Sequence, residues 1–159
     1  MSQIKIQKIE KLFNQSVKSR QRCIKQGFQP LCNMSDYIAQ SILNGNKLIL
    51  CGNDFGYDQI YKRMIESLGK EGDCLIAITT SGNSKNVILA MKAAKIMGIK
   101  VYGFLGSGGG KALEFCDEAF VVPSDNTGRV QEVHITAGHA LMECVEDNLL
   151  DFGYLTLQI

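Results

Sequence analysis

Apolar residues in the first quarter of the chain recur at helical spacing. They fall three or four positions apart among lysine, glutamine and glutamate, which is the pattern of an amphipathic helix. The first series is Ile6, Ile9, Phe13 and Val17, and the second is Leu31, Met34, Ile38 and Ile42. Gly27 and Pro30 lie between the two series and favour a break there. The pattern therefore predicts a pair of helices within residues 1–45.

From residue 46 onward, short continuous apolar runs replace the helical spacing. Unbroken hydrophobicity is typical of strands covered on both faces, as in a parallel sheet. The runs occupy residues 47–51, 74–79, 100–105 and 119–123. Helical stretches at residues 57–68 and 85–97 separate them. These stretches end at Gly69 and Gly98, each in the position of a left-handed residue after a helix.

A long helix is predicted at residues 129–150. Its wide apolar face suits packing on the sheet or on another subunit, and it comprises Val133, Ala137, Ala140, Leu141, Cys144, Val145 and Leu149. The alternation of strands and helices predicts an α/β fold with a doubly wound, flavodoxin-like parallel sheet flanked by helices. We expect one domain over residues 1–159, with the helical pair in 1–45 and the α/β core and C-terminal helix in 46–159.

Composition and charge narrow the choice of partners. The chain has 159 residues, of which 45% are hydrophobic and 21% charged, the balance of a globular domain. A net charge of +1 gives no broad field for nucleic acid or an anionic membrane, so neither is an expected partner. No run approaches the roughly 20 apolar residues that span a bilayer, and no signal-peptide core is present, so we expect a cytoplasmic protein. Its six cysteines lack C-x-x-C spacing and are expected to be free thiols.

The strongest chemical signal is the segment TTSGNS, named here the hydroxyl loop (residues 79–84). It follows an apolar run and precedes the helix predicted from residue 85. Hydroxyl groups and free N–H groups at a helix N-terminus favour a phosphate or another oxyanion, and Gly82 lets the backbone approach closely. The alternative is a strand-to-helix turn in which Ser or Thr caps the helix and no ligand binds.

A second glycine-rich segment, GSGGGK, is named here the glycine loop (residues 106–111). It does not match a Walker A motif, because Leu105 stands where the first glycine is needed and Ala112 where Ser or Thr would follow the lysine. A dinucleotide fingerprint that starts at Gly106 would need glycine in place of Lys111. ATP and NAD are therefore not expected, and a flexible loop is the favoured interpretation.

The final helix groups the residues suited to metal or acid–base chemistry, which are Gln131, Glu132, His134 and His139. Gln131 and His139 are about 80° apart around the helix and ~12 Å apart along it, so they could share an ion only by leaning toward each other. His134 lies about 60° from Gln131 in the other direction and is expected to point elsewhere. A packed or solvated histidine is the alternative to a functional one.

Three segments together resemble the phosphoheptose isomerases, bacterial enzymes of the sugar isomerase (SIS) domain superfamily. They are GNDFGY at residues 52–57, AITTSGNSKNV at 77–87, and RVQE at 129–132 with His134 and His139 beyond it. The resemblance implies the isomerisation of sedoheptulose 7-phosphate to D-glycero-D-manno-heptose 7-phosphate, an early step toward the heptose of lipopolysaccharide or capsule. It also implies a homotetramer with sites between subunits.

The resemblance assigns roles to individual residues. Asn53 and Asp54 would contact the sugar phosphate, and Gln131 would contact substrate and bind zinc. His139 would be a zinc ligand and the acid/base residue, so zinc is the expected cofactor. The phosphate cradle would consist of Thr79, Thr80, Ser81 and Ser84.

The chain departs from the family between Cys51 and Asn53. Family members carry there a G-N-G-G-S loop, a helix whose histidine and glutamate complete the zinc site, and a further strand; the glutamate is also the catalytic base. A natural deletion, an engineered deletion and a join across an omitted stretch are the interpretations, and we favour the last. Without that base, the residues present are expected to bind a sugar phosphate but to turn it over poorly.

Two other functions are open. The first is a non-enzymatic SIS scaffold, similar to replication-initiation regulators that share this fold and self-assemble. Gln131 and His139 argue against it, because a pure scaffold needs neither. The second is a sugar-phosphate-sensing domain of a transcription factor, which the lack of a basic patch disfavours.

Overall fold

A computed structural model describes residues 2–52 and 58–154. The helices of this part of the chain are α1 (Ser2–Gln26), α2 (Gln29–Leu43), α3 (Ile60–Leu68), α4 (Lys85–Ile96) and α5 (Thr127–Asp151). Its strands are β1 (Leu48–Gly52), β2 (Cys74–Thr79), β3 (Lys100–Gly106) and β4 (Glu118–Val122). A 3₁₀ segment, Ser107–Phe115, connects β3 to β4. Within the described ranges, no helix is long and apolar enough to cross a membrane.

The four strands form one parallel sheet in the order β1-β2-β3-β4, so β1 and β4 lie at its edges. The crossover elements α3, α4 and the 3₁₀ segment pack on one face, and α2 and α5 cover the other. The predicted α/β fold, a parallel sheet flanked by helices, is confirmed, but the described strands are not doubly wound, because their order does not reverse at any point. Because strand order follows chain order, the crossovers share one face, and the second face is covered by helices from both ends of the chain.

Burial on both faces explains the continuous apolar runs. Along β2, Cys74 and Ile76 point into the cluster formed with α2 and α5, whereas Leu75 and Ala77 point into the cluster formed with α3 and α4. All four side chains are at most 2% exposed. Successive side chains of a strand face opposite sides, so a strand with two covered faces needs apolar residues at every position.

The predicted helical pair is confirmed, but its two helices differ in burial. In α2, Leu31, Met34 and Ile38 lie in the core. Four apolar residues of α1 remain in solvent: Ile6, Ile9, Phe13 and Val17, named here the α1 stripe, are 52%, 54%, 71% and 50% exposed. The stripe therefore contributes little to the core of this chain.

The two glycines after the crossover helices behave differently. Gly98 has φ +71°, so its predicted left-handed conformation is confirmed. Gly69 has φ −77° and ψ 150°, so the same prediction is wrong there. A Cβ on Gly69 would lie 2.6 Å from a methyl carbon of Ile99 and 2.7 Å from the carbonyl oxygen of Ile65. Glycine at this position allows close packing rather than a left-handed turn.

The join at Cys51-Asn53 falls at the end of β1, which pairs directly with β2. The three interpretations of this join stay predictions, because a sequence given without the family's additional segment is continuous in each case. Asn53 and Asp54, predicted to contact substrate, lie outside the described residues.

A buried aspartate holds the amino ends of β1 and β2 together. Asp73 is 0% exposed. Its carboxylate accepts hydrogen bonds from the backbone N–H of Lys47 (2.9 Å), the Lys47 ammonium group (2.6 Å) and the backbone N–H of Lys70 (2.9 Å). Burial alone would raise the pKa of Asp73, but these bonds to Lys47 and Lys70 outweigh it, so the pKa lies below its ordinary value.

Candidate anion-binding site

The hydroxyl loop lies at the carboxyl end of β2. Thr79 ends the strand and is 3% exposed, and α4 begins directly after Ser84. The hydroxyl oxygens of Thr79 and Ser84 are 2.9 Å apart and hydrogen-bonded, which joins the two ends of the loop. Within the loop, the Ser81 hydroxyl accepts a hydrogen bond from the Asn83 N–H at 3.1 Å. The loop is therefore a closed turn held by its own side chains.

The hydroxyl groups of this loop do not cap α4. Ser84 occupies the N-cap position, but its side chain makes no capping hydrogen bond and instead pairs with Thr79. The turn in which a hydroxyl caps the helix is thus not what the structure shows. Ser81 is exposed and Thr80 half-buried, so their hydroxyl groups lie within reach of solvent at the positive end of the α4 dipole. This arrangement is suited to a phosphate or another oxyanion.

The glycine loop packs against the hydroxyl loop instead of standing free. The N–H of Ala112 donates to the carbonyl oxygen of Gly82 at 2.8 Å, and the N–H of Lys111 donates to Oδ1 of Asn83 at 3.2 Å. The expected flexible loop is the start of the 3₁₀ segment, and it belongs to the same structural unit as the candidate site. Sequence reasoning missed this contact, although two glycine-rich turns after neighbouring strands were its signal.

Gln131 and His139 line one groove between α5 and the sheet. The groove has a volume of about 430 Å³, and its sheet side is formed by Ile76, Ile78 and Phe104. Gln131 and His139 are exposed. Ile78 belongs to β2, whose carboxyl end leads into the hydroxyl loop. The structure therefore places the two α5 residues in a groove beside the strand that carries this loop.

His134 does not point away from this groove, as the helical spacing predicted, but lines it together with Gln131 and His139. It is 5% exposed, and its Nε2 lies 3.1 Å from the carbonyl oxygen of Leu105. The pKa of His134 is lowered because burial disfavours the charged ring, an effect only partly offset by the bond to Leu105. The side chain leans onto β3, which angular spacing along an isolated helix does not reveal.

Glu132 is bound in contacts between helices. One carboxylate oxygen lies 2.7 Å from the Arg129 guanidinium group, and the other accepts a hydrogen bond from the Ser16 hydroxyl. Arg129 also donates to the carbonyl oxygen of Leu12 at 2.7 Å. These contacts fasten α1 to α5, so Glu132 has a structural role in this chain.

The described residues do not by themselves fit a catalytic zinc site. Within the described ranges there is no group of three or more His, Cys, Asp or Glu side chains that could hold a metal ion. A catalytic zinc ion takes three protein ligands. Gln131 and His139 offer two donors, and further ligands would have to come from elsewhere.

Comparisons with known proteins place this geometry in context. A family model described as the SIS domain matches residues 53–106. A curated phosphoheptose isomerase from Clostridium acetobutylicum is 50% identical over 107 residues, which are 67% of this chain and 55% of the relative. One from Rhodospirillum rubrum is 46% identical over 106 residues, 67% of this chain and 56% of the relative. The chain thus matches little more than half the length of these curated relatives.

Solved structures give the same fold. A phosphoheptose isomerase from Neisseria gonorrhoeae superposes with a TM-score of 0.85 at 27% identity, covering 89% of this chain and 98% of that one. A second, from Francisella tularensis, also gives a TM-score of 0.85, at 23% identity over 89% of this chain and 98% of that one. Sequence and fold together show that this chain is similar to the phosphoheptose isomerases and that its residues 53–106 match the SIS domain.

Proposed function

We propose that the chain binds a sugar phosphate, with the phosphate group on the hydroxyl loop and the sugar extending toward Gln131 and His139. The observation that carries this proposal is the closed hydroxyl loop at the N-terminus of α4, whose Ser81 and Ser84 hydroxyls are not used to cap the helix. The loop lies within the region shared with the curated relatives' family. Thr79, Thr80, Ser81 and Ser84 form the cradle, and Asn53 and Asp54 remain proposed substrate contacts.

The reaction we propose is that of the related isomerases, sedoheptulose 7-phosphate to D-glycero-D-manno-heptose 7-phosphate, in heptose synthesis in the cytoplasm. Such a reaction moves a proton between adjacent carbons and needs a base near both. His139 is the proposed acid/base residue, because it is exposed in the groove beside β2, the strand that leads into the hydroxyl loop. Its substitution His139→Ala should abolish turnover while leaving most of the phosphate binding.

Binding without turnover is a second candidate function. It is favoured by the donor chemistry of the chain, since the described residues contain no group of three His, Cys, Asp or Glu side chains that could hold a metal ion. An isomerase assay and a calorimetric titration with sedoheptulose 7-phosphate separate the two functions. Binding with turnover supports the isomerase, and binding alone supports the sugar-phosphate-binding module. The absence of both would refute the proposed function.

Zinc binding is a separate proposal. The Gln131 side-chain oxygen and the His139 imidazole are the candidate donors, and we expect weak binding unless a partner subunit adds ligands. Titration with Zn²⁺, repeated with His139→Ala, tests this proposal. Equal zinc affinity of the two proteins would exclude His139 as a ligand.

We also propose that the chain forms a homotetramer and that the α1 stripe takes part in it. Four large apolar side chains, each at least half exposed on one helix, favour burial against another subunit. Phe13→Glu would place a charge at the most exposed member of the stripe and should lower the mass measured by light scattering after gel filtration. An unchanged mass would exclude the stripe from the interface.

A further inference from the structure

The backbone of the hydroxyl loop touches glycines so closely that no side chain would fit between the two loops. A Cβ on Gly110 would lie 2.7 Å from the carbonyl oxygens of Ser81 and Gly82. A Cβ on Gly106 would lie 2.5 Å from the carbonyl oxygen of Thr80, and one on Gly82 only 2.0 Å from that of Gly109. Ordinary contacts of a Cβ atom begin near 3.4 Å. Every one of these positions therefore requires glycine for the loops to lie as they do.

Polar contacts connect the same two loops through Asn83. Its Oδ1 accepts a hydrogen bond from the N–H of Lys111 at 3.2 Å, and its Nδ2 donates to the carbonyl oxygen of Ser81 at 2.9 Å. One exposed side chain thus bonds to the glycine loop on one side and to the middle of the hydroxyl loop on the other. Together with the bond from Ala112 to Gly82, it fixes the position of residues 81–83.

We propose that the glycine loop is a positioning element of the anion site, with Gly110 and Asn83 as its positioning residues. This inference rests on the proposed sugar-phosphate binding. The backbone of the glycine loop sets where Ser81 and Gly82 stand relative to the N-terminus of α4, and hence where the Ser81 hydroxyl group meets a phosphate oxygen. Donors held in place before the ligand arrives bind it without reorganisation, and this advantage is lost when they are displaced.

The neighbouring glycines offer a pair of variants. Gly108 and Gly110 both have positive φ, +75° and +55°, so alanine introduces strain at either position. The strain is greater at Gly110, because its ψ of −156° lies in a region that almost only glycine adopts, whereas Gly108 has ψ 9°. Only at Gly110 does the new methyl group meet the hydroxyl loop, since nothing lies within 4 Å of a Cβ on Gly108. To reach ordinary contact distance, the loops of Gly110→Ala must separate by about 0.7 Å, the difference between 2.7 Å and 3.4 Å. Gly108→Ala therefore controls for a side chain at positive φ without separation of the loops, and Asn83→Ala tests the contact between the loops without backbone strain.

The test is calorimetric titration of the full chain with sedoheptulose 7-phosphate and, separately, with inorganic phosphate. We expect the dissociation constant of Gly110→Ala to rise by about tenfold or more, whereas that of Gly108→Ala stays close to the unsubstituted value. Thermal unfolding of each variant shows whether it is folded. Equal affinities of Gly110→Ala and the unsubstituted chain, or equal losses in both glycine variants, would overturn the inference.

Asn83→Ala is a second variant, for the case in which Gly110→Ala does not fold. Asn83 is exposed, so its removal should leave the unfolding temperature nearly unchanged while weakening phosphate binding. In amide NMR spectra, the phosphate-induced shifts of Ser81 and Gly82 should shrink, which a purely structural role at an exposed position would not cause. Unaltered affinity and shifts would refute the role of Asn83. If the unsubstituted chain bound neither probe, the proposed function itself would fail. If it bound a probe and the variants bound that probe with equal affinity, only the positioning role would fail.

Discussion

Replacement of Asp73 by alanine should destabilise the chain without touching the candidate site. Asp73 lies at the amino ends of the strands, opposite the hydroxyl loop at their carboxyl ends. The substitution removes the acceptor of the backbone N–H groups of Lys47 and Lys70. The cost of leaving a buried donor unsatisfied is about 1–3 kcal/mol for each. The Lys47 ammonium group is 44% exposed and can return to water, so we expect it to add little.

The expected loss of unfolding free energy is therefore about 2–6 kcal/mol, which lowers the melting temperature by roughly 4–24 °C in a chain of this size. Urea titration monitored by circular dichroism measures the loss. Glu66→Ala is the control, because Glu66 is 49% exposed and makes only a surface pair with Lys62. Its loss should stay below about 0.5 kcal/mol. Equal losses in the two variants would refute the reasoning.

The pH dependence provides an independent check on Asp73. Its folded pKa is lower than its unfolded value near 3.8, so its contribution to stability is complete above pH 3.8 and is lost as the pH falls through the folded pKa. The unsubstituted chain should lose stability more steeply than Asp73→Ala as the pH falls below about 4. Parallel curves for the two proteins would show that the carboxylate is not stabilised by folding.

Three further perturbations test other parts of the molecule. The pKa of His134 is lower in the folded chain, so the unfolded chain takes up the proton first as the pH falls. The free energy of unfolding should therefore fall as the pH drops below 6.5. His134→Phe should flatten that fall in urea titrations repeated across this pH range. Leu141 is 1% exposed, so Leu141→Ala should cost about 2–5 kcal/mol of unfolding free energy. Met142 is 38% exposed in the groove wall, so Met142→Ala should cost much less in the same titration. A thiol reagent followed by peptide mass mapping should modify exposed Cys32 before buried Cys74, whose pKa burial raises; the reverse order would contradict the described packing.

Local patterns predicted the elements of the fold well, because the hydrophobic residues of each strand and helix reflect which of its faces are buried. The apolar runs marked β1 to β4, and the spacing of Leu31, Met34 and Ile38 marked α2. The predicted helix at residues 57–68 is observed from Ile60, with residues 53–57 outside the described part of the chain. The free thiols predicted for Cys23, Cys32, Cys74, Cys116 and Cys144 are also confirmed.

What escaped prediction depends on contacts between distant segments. The requirement for glycine at position 69 comes from Ile99, thirty residues later, and the requirement for glycine at position 82 comes from Gly109. The position of His134 depends on a carbonyl group of β3. For the candidate site, the hydroxyl loop could be found from its residues, since a hydroxyl-rich turn before a helix is a local pattern. Its fixation by the glycine loop was missed. The two turns after neighbouring strands indicate that the loops lie near each other, but no spacing within either loop encodes their contact.

The place of β1 at the edge of the sheet has a practical consequence for handling this protein. An edge strand presents backbone donors and acceptors on its outer side, and apolar residues such as Leu48 and Ile49 make it a favourable template for another strand. Concentrated or partly unfolded samples should therefore be prone to aggregate by sheet extension. A lysine introduced at Ile49, the kind of charge by which natural sheets protect their edges, would trade some core packing for better solubility.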